Sequence, residues 1–303
     1  MAHKESLTLD TLPPEIRDAV TNKRISGRKK LGRWLVFLKT LSEFDEQVDA
    51  QYNKVKKRSV GFGVLTFVCL FASIFALAFS EGNLVVLASC GSVVFLLFVF
   101  FMVNWLNARA LKKINLENSF RETVLPFLAI LSEEISPKDK ITLDLNLGDP
   151  TAKQYKVSEQ KLPPGRNRKL IERTYCFPAC HAKIPLENGT LLLLDLVKNP
   201  VSYDRYYRSS SGKSKHKKKW KLIIDVTAGL VPVSEEFQVS EAEVERMTAS
   251  AKVKLKEKKG GQLCCLREKL KFKSAKGVPD ENVSPEALVE MFMKLCTMLN
   301  PAA

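Results

Sequence analysis

Histidine is nearly missing from this chain: His3, His181 and His216 are the only three in 303 residues. One lies close to the start and one inside a lysine run, so a Ser-His-Asp or Cys-His catalytic set has only His181 to be built on. A phosphate loop is missing too. Ser211-Gly212-Lys213-Ser214 carries the Gly-Lys-Ser tail without the upstream glycine or the strand-to-helix setting. Spaced cysteine pairs are also wanting. Cys176 and Cys180, followed by His181, are one residue too far apart for haem attachment, and Cys264 and Cys265 are adjacent where a zinc motif wants a spaced pair. No metal and no cofactor are expected. Seven cysteines at irregular spacing read as reduced thiols, not a disulfide framework. The first residues lack the layout of a cleavable signal, and Ala2 stands where myristoylation requires glycine.

The most informative absence is charge. Residues 59–80 and 84–106 contain no charged side chain, although Lys+Arg (48) exceed Asp+Glu (33) overall for a formal +15. Each stretch matches the ~20 residues that cross ~30 Å of hydrocarbon. Only Glu81, Gly82 and Asn83 separate them, which makes a tight turn and an antiparallel helical hairpin. Lys54, Lys56, Lys57 and Arg58 precede the first span and Arg109, Lys112 and Lys113 follow the second, while the turn has no basic residue. By the positive-inside rule both termini are expected in the cytoplasm, in a two-pass protein of the plasma or inner membrane or an endomembrane. Small residues four apart, Ala72, Ala76 and Ser80 on the first span and Ala88 and Ser92 on the second, are expected to pack the hairpin or a homo-oligomer. No ionisable residue lies inside either span, which argues against proton relay or voltage sensing by the hairpin alone.

Flanking helices are expected on both sides. Leu31, Trp34, Leu38, Leu41, Val48, Tyr52 and Val55 recur at three and four, an amphipathic helix whose basic start at residues 24–34 suits an acidic membrane surface. After the second span the helical period runs through Leu111, Ile114, Phe120 and Val124 until Pro126 kinks it or opens a new helix.

Past Pro137 the period changes to two. Ile141-Thr142-Leu143-Asp144-Leu145-Asn146-Leu147 alternates cleanly and stops at Gly148-Asp149-Pro150. Further strands are predicted over 170–177, 190–197, 201–208, 220–226, 248–258 and 263–273, the last two joined by Lys259-Gly260-Gly261. Ser284 and Pro285 open a helix with Leu288, Met291, Phe292, Leu295 and Leu299 on one face. The fold class is therefore membrane α+β: a transmembrane hairpin, a helical stalk and a cytoplasmic antiparallel β domain, sandwich or barrel-like, closed by a C-terminal helix. The domains are residues 1–58 (basic amphipathic helical region), 59–106 (hairpin), 107–137 (juxtamembrane helix) and 138–303 (β-rich domain).

Strand alternation places the positive charge. Lys252, Lys254, Lys256 and Lys258 share one face, and Lys269, Lys271 and Lys273 share another run, with Val253, Leu255, Leu270 and Phe272 pointing away. Lys215, Lys217 and Lys219 sit in an expected hairpin tip after Ser209-Ser210-Ser211-Gly212, and Arg166 and Arg168 follow Pro163-Pro164-Gly165. Lysines also solubilise exposed strands and protect sheet edges. Beside an anionic leaflet, each nearby cation gains on the order of 1 kcal/mol. The expected function is thus a non-enzymatic, membrane-anchored interaction or sensor module that binds acidic lipid headgroups or an acidic protein partner. Two alternatives stand beside it: an oligomerising membrane effector or channel gated by the β domain, and a membrane-tethered enzyme using His181, Asp195 or Asp225. Nucleic acid is the poorer polyanion, because aromatic residues are not interleaved with most basic runs; Tyr203, Tyr206 and Tyr207 beside Arg205 and Arg208 are the exception.

Overall fold

A computed structural model describes residues 12–79, 84–163, 169–232, 237–239, 253–258, 261–275 and 277–301. The chain divides into two compact units, one built around Leu41–Asn115 and the other from Asp18–Thr40 with Leu116–Ala303.

The first unit is helical. Helix α2 runs unbroken over Leu31–Phe79, following the short α1 (Pro14–Asn22), and α3 spans Leu84–Ile114. Both contain stretches long and apolar enough to cross a membrane, and almost none of the residues in those stretches is buried inside the protein. Val64, Phe67, Phe71, Phe75, Phe95 and Phe98, for example, are all exposed. Phe62 and Phe100 stack at 5.7 Å between ring centroids, and a methyl group on Gly63 would meet the Phe101 ring at 3.3 Å. Within these stretches Thr66 and Ser73 donate to the carbonyls of Phe62 and Cys69, four residues back, which satisfies both hydroxyls.

The second unit is a nine-stranded antiparallel sheet with helices on one face. Its path is β1 (Arg24–Lys30), β2 (Lys140–Asn146), β5 (Phe177–Pro185), β6 (Thr190–Arg208), β7 (Ser214–Pro232), β10 (Gly261–Ser274) and β9 (Val253–Lys258). Strands β3 (Lys156–Leu162) and β4 (Lys169–Tyr175) form a hairpin that joins the far half of β6, and β8 (Phe237–Val239) pairs with β11 (Leu299–Pro301) separately. Among the described residues the path is open at β1 and β9, and the sheet is curled and antiparallel.

Alternation decides which face is covered. Ile141, Leu143 and Leu145 of β2 are fully buried, as are Leu192, Leu194 and Leu196 of β6 and Leu222, Ile224 and Val226 of β7. Trp34, at the start of α2, donates its indole N–H to the Ile141 carbonyl at 3.0 Å. Phe120 and Val124 lie buried in a π-helical turn, and Phe127 and Leu128 in the short α4 (Leu125–Ile130). Helix α5 (Pro285–Cys296) adds Leu288, Met291, Phe292 and Leu295 and touches both β7 and β10. Its N-cap is as expected: the Ser284 hydroxyl accepts from the Ala287 N–H at 3.2 Å, with Pro285 in the first turn.

Three expectations need correction. Residues 24–30, read as the start of a helix, form β1 in register with β2, from Arg24 opposite Asn146 to Lys30 opposite Lys140. The helix leaving the second span ends at Ile114, and separate π-helical and α-helical turns follow. Residues 213–219, read as a hairpin tip, are mostly strand, because β6 and β7 stay paired out to Arg208 opposite Ser214. The turn is confined to Ser209–Lys213, where Gly212 has φ 75°.

One buried charge pair ties this unit together. Lys198 follows Leu192, Leu194 and Leu196 onto the covered face, and its ammonium donates to Glu117 and to the Asn282 side chain, each at 2.5 Å. Both charged side chains are under 10% exposed. Ser119 donates to Glu117 at 3.0 Å and Asn282 donates to Glu122 at 2.6 Å, so the chain entering the sheet unit and the loop before α5 meet on one lysine. A piece cut at residue 138 lacks β1, Trp34 and Glu117, so experiments on this unit call for the full chain.

Candidate functional site

Among the described residues, the sheet face that the helices leave uncovered carries the odd-numbered positions of β6 and β7. On β7 these are Lys215, Lys217, Lys219 and Lys221, and on β10 Arg267, Lys269, Lys271 and Lys273, with Lys273 opposite Lys221 and Lys269 opposite Asp225. Lys269, Lys271 and Lys273 are exposed as expected, while Leu270 and Phe272 between them are half-buried. The register places Lys219 opposite Tyr203 and Lys217 opposite Arg205. The sequence therefore brings two of its basic runs onto neighbouring strands. Lys254, Lys256 and Lys258 occupy β9 opposite Cys265, Leu263 and Gly261. Lys252, Arg166, Arg168 and Ser80 lie outside the described residues.

Where β10 ends, a cavity of about 490 Å³ opens among Tyr203, Arg205, Lys219, Trp220, Lys221 and Lys273, within the ~300–1,000 Å³ usual for ligand sites. Among the described residues no carboxylate forms an ion pair with Arg205, Lys219, Lys221 or Lys273. Burial, then Glu172, raises the Tyr203 phenol above its ordinary range, and Arg205 partly opposes this, so Tyr203 keeps its proton and can donate to an anion. Lys218, on the other face of β7, lies over the Trp220 ring at 4.4 Å. Lys221 and Trp220 are additions to the expected site, and Tyr203 and Arg205 were expected only as the aromatic and basic pair suited to nucleic acid. Lys221 merely continues the Lys215, Lys217, Lys219 phase, a signal that was legible.

A second cluster surrounds His181. The register runs Ser26, Asp144, His181, Asp195, Thr227, Arg267 straight across six strands. His181 Nδ1 lies 2.5 Å from Asp195, and Arg24 forks onto Asp144 at 2.9 and 2.6 Å. A cleft of about 560 Å³ takes in Arg24, Asp144, Asn146, Tyr155 and His181. A carboxylate on Nδ1 is what a general base needs. Among the described residues, however, no hydroxyl or thiol bonds to the other ring nitrogen, and both His181 and Asp195 are nearly half exposed. Asp225 serves as a counter-ion instead: Arg267 and Lys269 lie 3.4 Å from it, and Asn199 donates to it at 3.0 Å.

The cysteines do not converge on a site. Cys176 is exposed and Cys180 is buried beneath the sheet, while His181 turns to Asp195. Burial pushes the Cys264 and Cys296 thiols up to about 11, and that of Cys180 further, which keeps all three protonated and inert at neutral pH.

Of the hairpin residues, Ala72, Ala88 and Ser92 are exposed and Ala76 half-exposed. The groove between α2 and α3 holds about 690 Å³ and is lined by Gly63, Thr66, Ser73, Cys90, Gly91 and Phe101 among others. No protein-family model matches the chain, and no curated protein or solved structure is significantly similar to it.

Proposed function

We propose that the chain is a two-pass integral membrane protein with both termini in the cytoplasm, whose sheet unit uses its basic open face to bind acidic lipid headgroups. The apolar stretches of α2 and α3, bare of protein cover, support insertion. Tyr52, Lys56, Trp105, Arg109 and Lys112 gather where the apolar stretches of α2 and α3 meet their basic flanks, with Lys56 over Tyr52 and Arg109 over Trp105, each at 5.6 Å. Aromatic rings beside cations are the composition of a membrane–water interface on its positive side. The single observation that carries headgroup binding is the cavity at the end of β10, where four cations without carboxylate partners among the described residues meet a tyrosine and a tryptophan.

The test follows the lysines themselves. In full-length protein reconstituted into bilayers, acylation of Lys269, Lys271 and Lys273 is expected to slow several-fold when phosphatidylserine replaces part of the phosphatidylcholine. The protection should fade at 1 M salt, where the screening length falls from ~10 Å at 0.1 M to ~3 Å. Equal labelling in neutral and acidic bilayers would remove headgroup binding by this face and leave an acidic protein as the candidate partner.

A further inference from the structure

The hairpin holds a second arrangement suited to an amphipathic ligand, away from the sheet. Beside the basic flanks of the two apolar stretches, Tyr52, Lys56, Ser59, Trp105, Arg109 and Lys112 line an open cavity of about 370 Å³. None of Lys56, Arg109 and Lys112 forms an ion pair with a described residue. Phe101 lines this cavity and also the 690 Å³ groove further along the same helices. The groove is walled almost wholly by carbon, from Phe67, Leu70, Ile74, Val94, Phe95 and Phe98. Its Thr66 and Ser73 hydroxyls are already committed to backbone carbonyls and ask nothing of an occupant.

We infer that α2 and α3 bind one acidic phospholipid, with the headgroup phosphate among Lys56, Arg109 and Lys112 and an acyl chain along the groove past Phe101. The inference rests on the hairpin lying in a bilayer and is independent of the basic sheet face. The chemistry of the two cavities matches the two ends of a single molecule. Arg109 offers a planar fork of donors to phosphate oxygens, Lys56 and Lys112 supply point charges, and Tyr52 and Trp105 supply rings with polar edges at headgroup depth. Below them the flexible chain replaces contacts that the helices do not make with each other. Basic pockets between membrane helices on the cytoplasmic side are a physically favoured place for anionic headgroups. A free phosphate would gain the charge contact without the chain burial, at about 0.8 kcal/mol per buried CH₂.

The experiment uses full-length, delipidated protein in a neutral detergent. Phosphatidylserine, phosphatidylcholine or inorganic phosphate is added, and native mass spectrometry counts what stays bound. One phosphatidylserine per chain is expected to be retained in preference to phosphatidylcholine, and phosphate alone is expected not to be retained. Lys56→Gln with Arg109→Gln should weaken phosphatidylserine on the order of 30-fold, from ~1 kcal/mol per cation. Gly91 lines the groove, and a Cβ there meets nothing within 4 Å, so Gly91→Leu adds bulk at the groove wall and should displace the same lipid. Replacing Lys269, Lys271 and Lys273 with glutamine should leave that lipid in place, which separates it from binding by the sheet. Equal retention of the two lipids, or retention unchanged in both hairpin variants, overturns the inference while leaving the sheet face untouched. Failure of the wild-type protein to stay in carbonate-washed membranes would instead remove the membrane reading on which it rests.

Discussion

Glu117→Leu is expected to destabilise the sheet unit by about 3–5 kcal/mol, because it strands the Lys198 ammonium under the sheet. Lys198 sits in core phase and is 5% exposed. Its remaining acceptors are the neutral Asn282 side chain and the Glu281 carbonyl at 3.4 Å. The buried charge then has no counter-charge, which is the costly half of breaking an internal ion pair. Lys198→Met combined with Glu117→Leu removes both charges and should recover most of the loss, since a buried pair yields little over a well-packed apolar one. Urea unfolding of the full chain in detergent, followed through tryptophan emission, reads both. A double variant as unstable as the single one would show that packing of Glu117, not its charge, is what matters.

Trp34→Ala should cost a similar amount, about 3–5 kcal/mol, through the cavity it leaves. The ring is 0% exposed, meets Phe37 edge-on at 6.0 Å and fixes the start of α2 to β2 through the Ile141 carbonyl. Trp34→Phe keeps most of the volume but gives up that hydrogen bond, and should cost about 1–3 kcal/mol. The same urea curves measure the two changes. Equal losses in the alanine and phenylalanine variants would mean that the hydrogen bond, not the buried volume, carries Trp34's contribution.

The apolar helices were legible because the signal is local: a helix that lacks charge over twenty residues needs no partner to reveal itself. The strands were legible where alternation was clean, as in β2, and where Gly or Asn marked the turns. Strand β1 was not. Arg24-Ile25-Ser26-Gly27-Arg28-Lys29-Lys30 offers one apolar side chain, and only pairing with a strand more than a hundred residues later makes it extended. As an edge strand rich in Arg and Lys it follows the logic that protects edges, but a single sequence gives that logic no register. The tip of β6 and β7 was misread for the converse reason: a polar, lysine-rich stretch looks like a loop until its partner strand holds it.

The candidate site divides in the same way. Lys269, Lys271 and Lys273 were legible as one exposed row from their spacing, and so were Lys215, Lys217 and Lys219. The meeting of their ends, Lys219 and Lys221 with Lys273, beside Arg205 and Trp220 at a cavity, depends on a register that spans fifty residues. The Glu117–Lys198 pair lies eighty-one residues apart in sequence. A lysine in core phase after three leucines was nevertheless a visible sign that a buried carboxylate must exist somewhere. His181 and Asp195 were singled out separately, and the sheet makes them neighbours.

The most direct test of the account is protease protection on sealed, right-side-out membrane vesicles carrying the full chain. Protease added outside should leave the segment from residue 107 to 303 intact and should digest it once the vesicles are permeabilised. Removal of that segment from vesicles that are still sealed would contradict the proposed hairpin that enters and leaves from the cytoplasmic side, and with it the proposed binding of inner-leaflet headgroups.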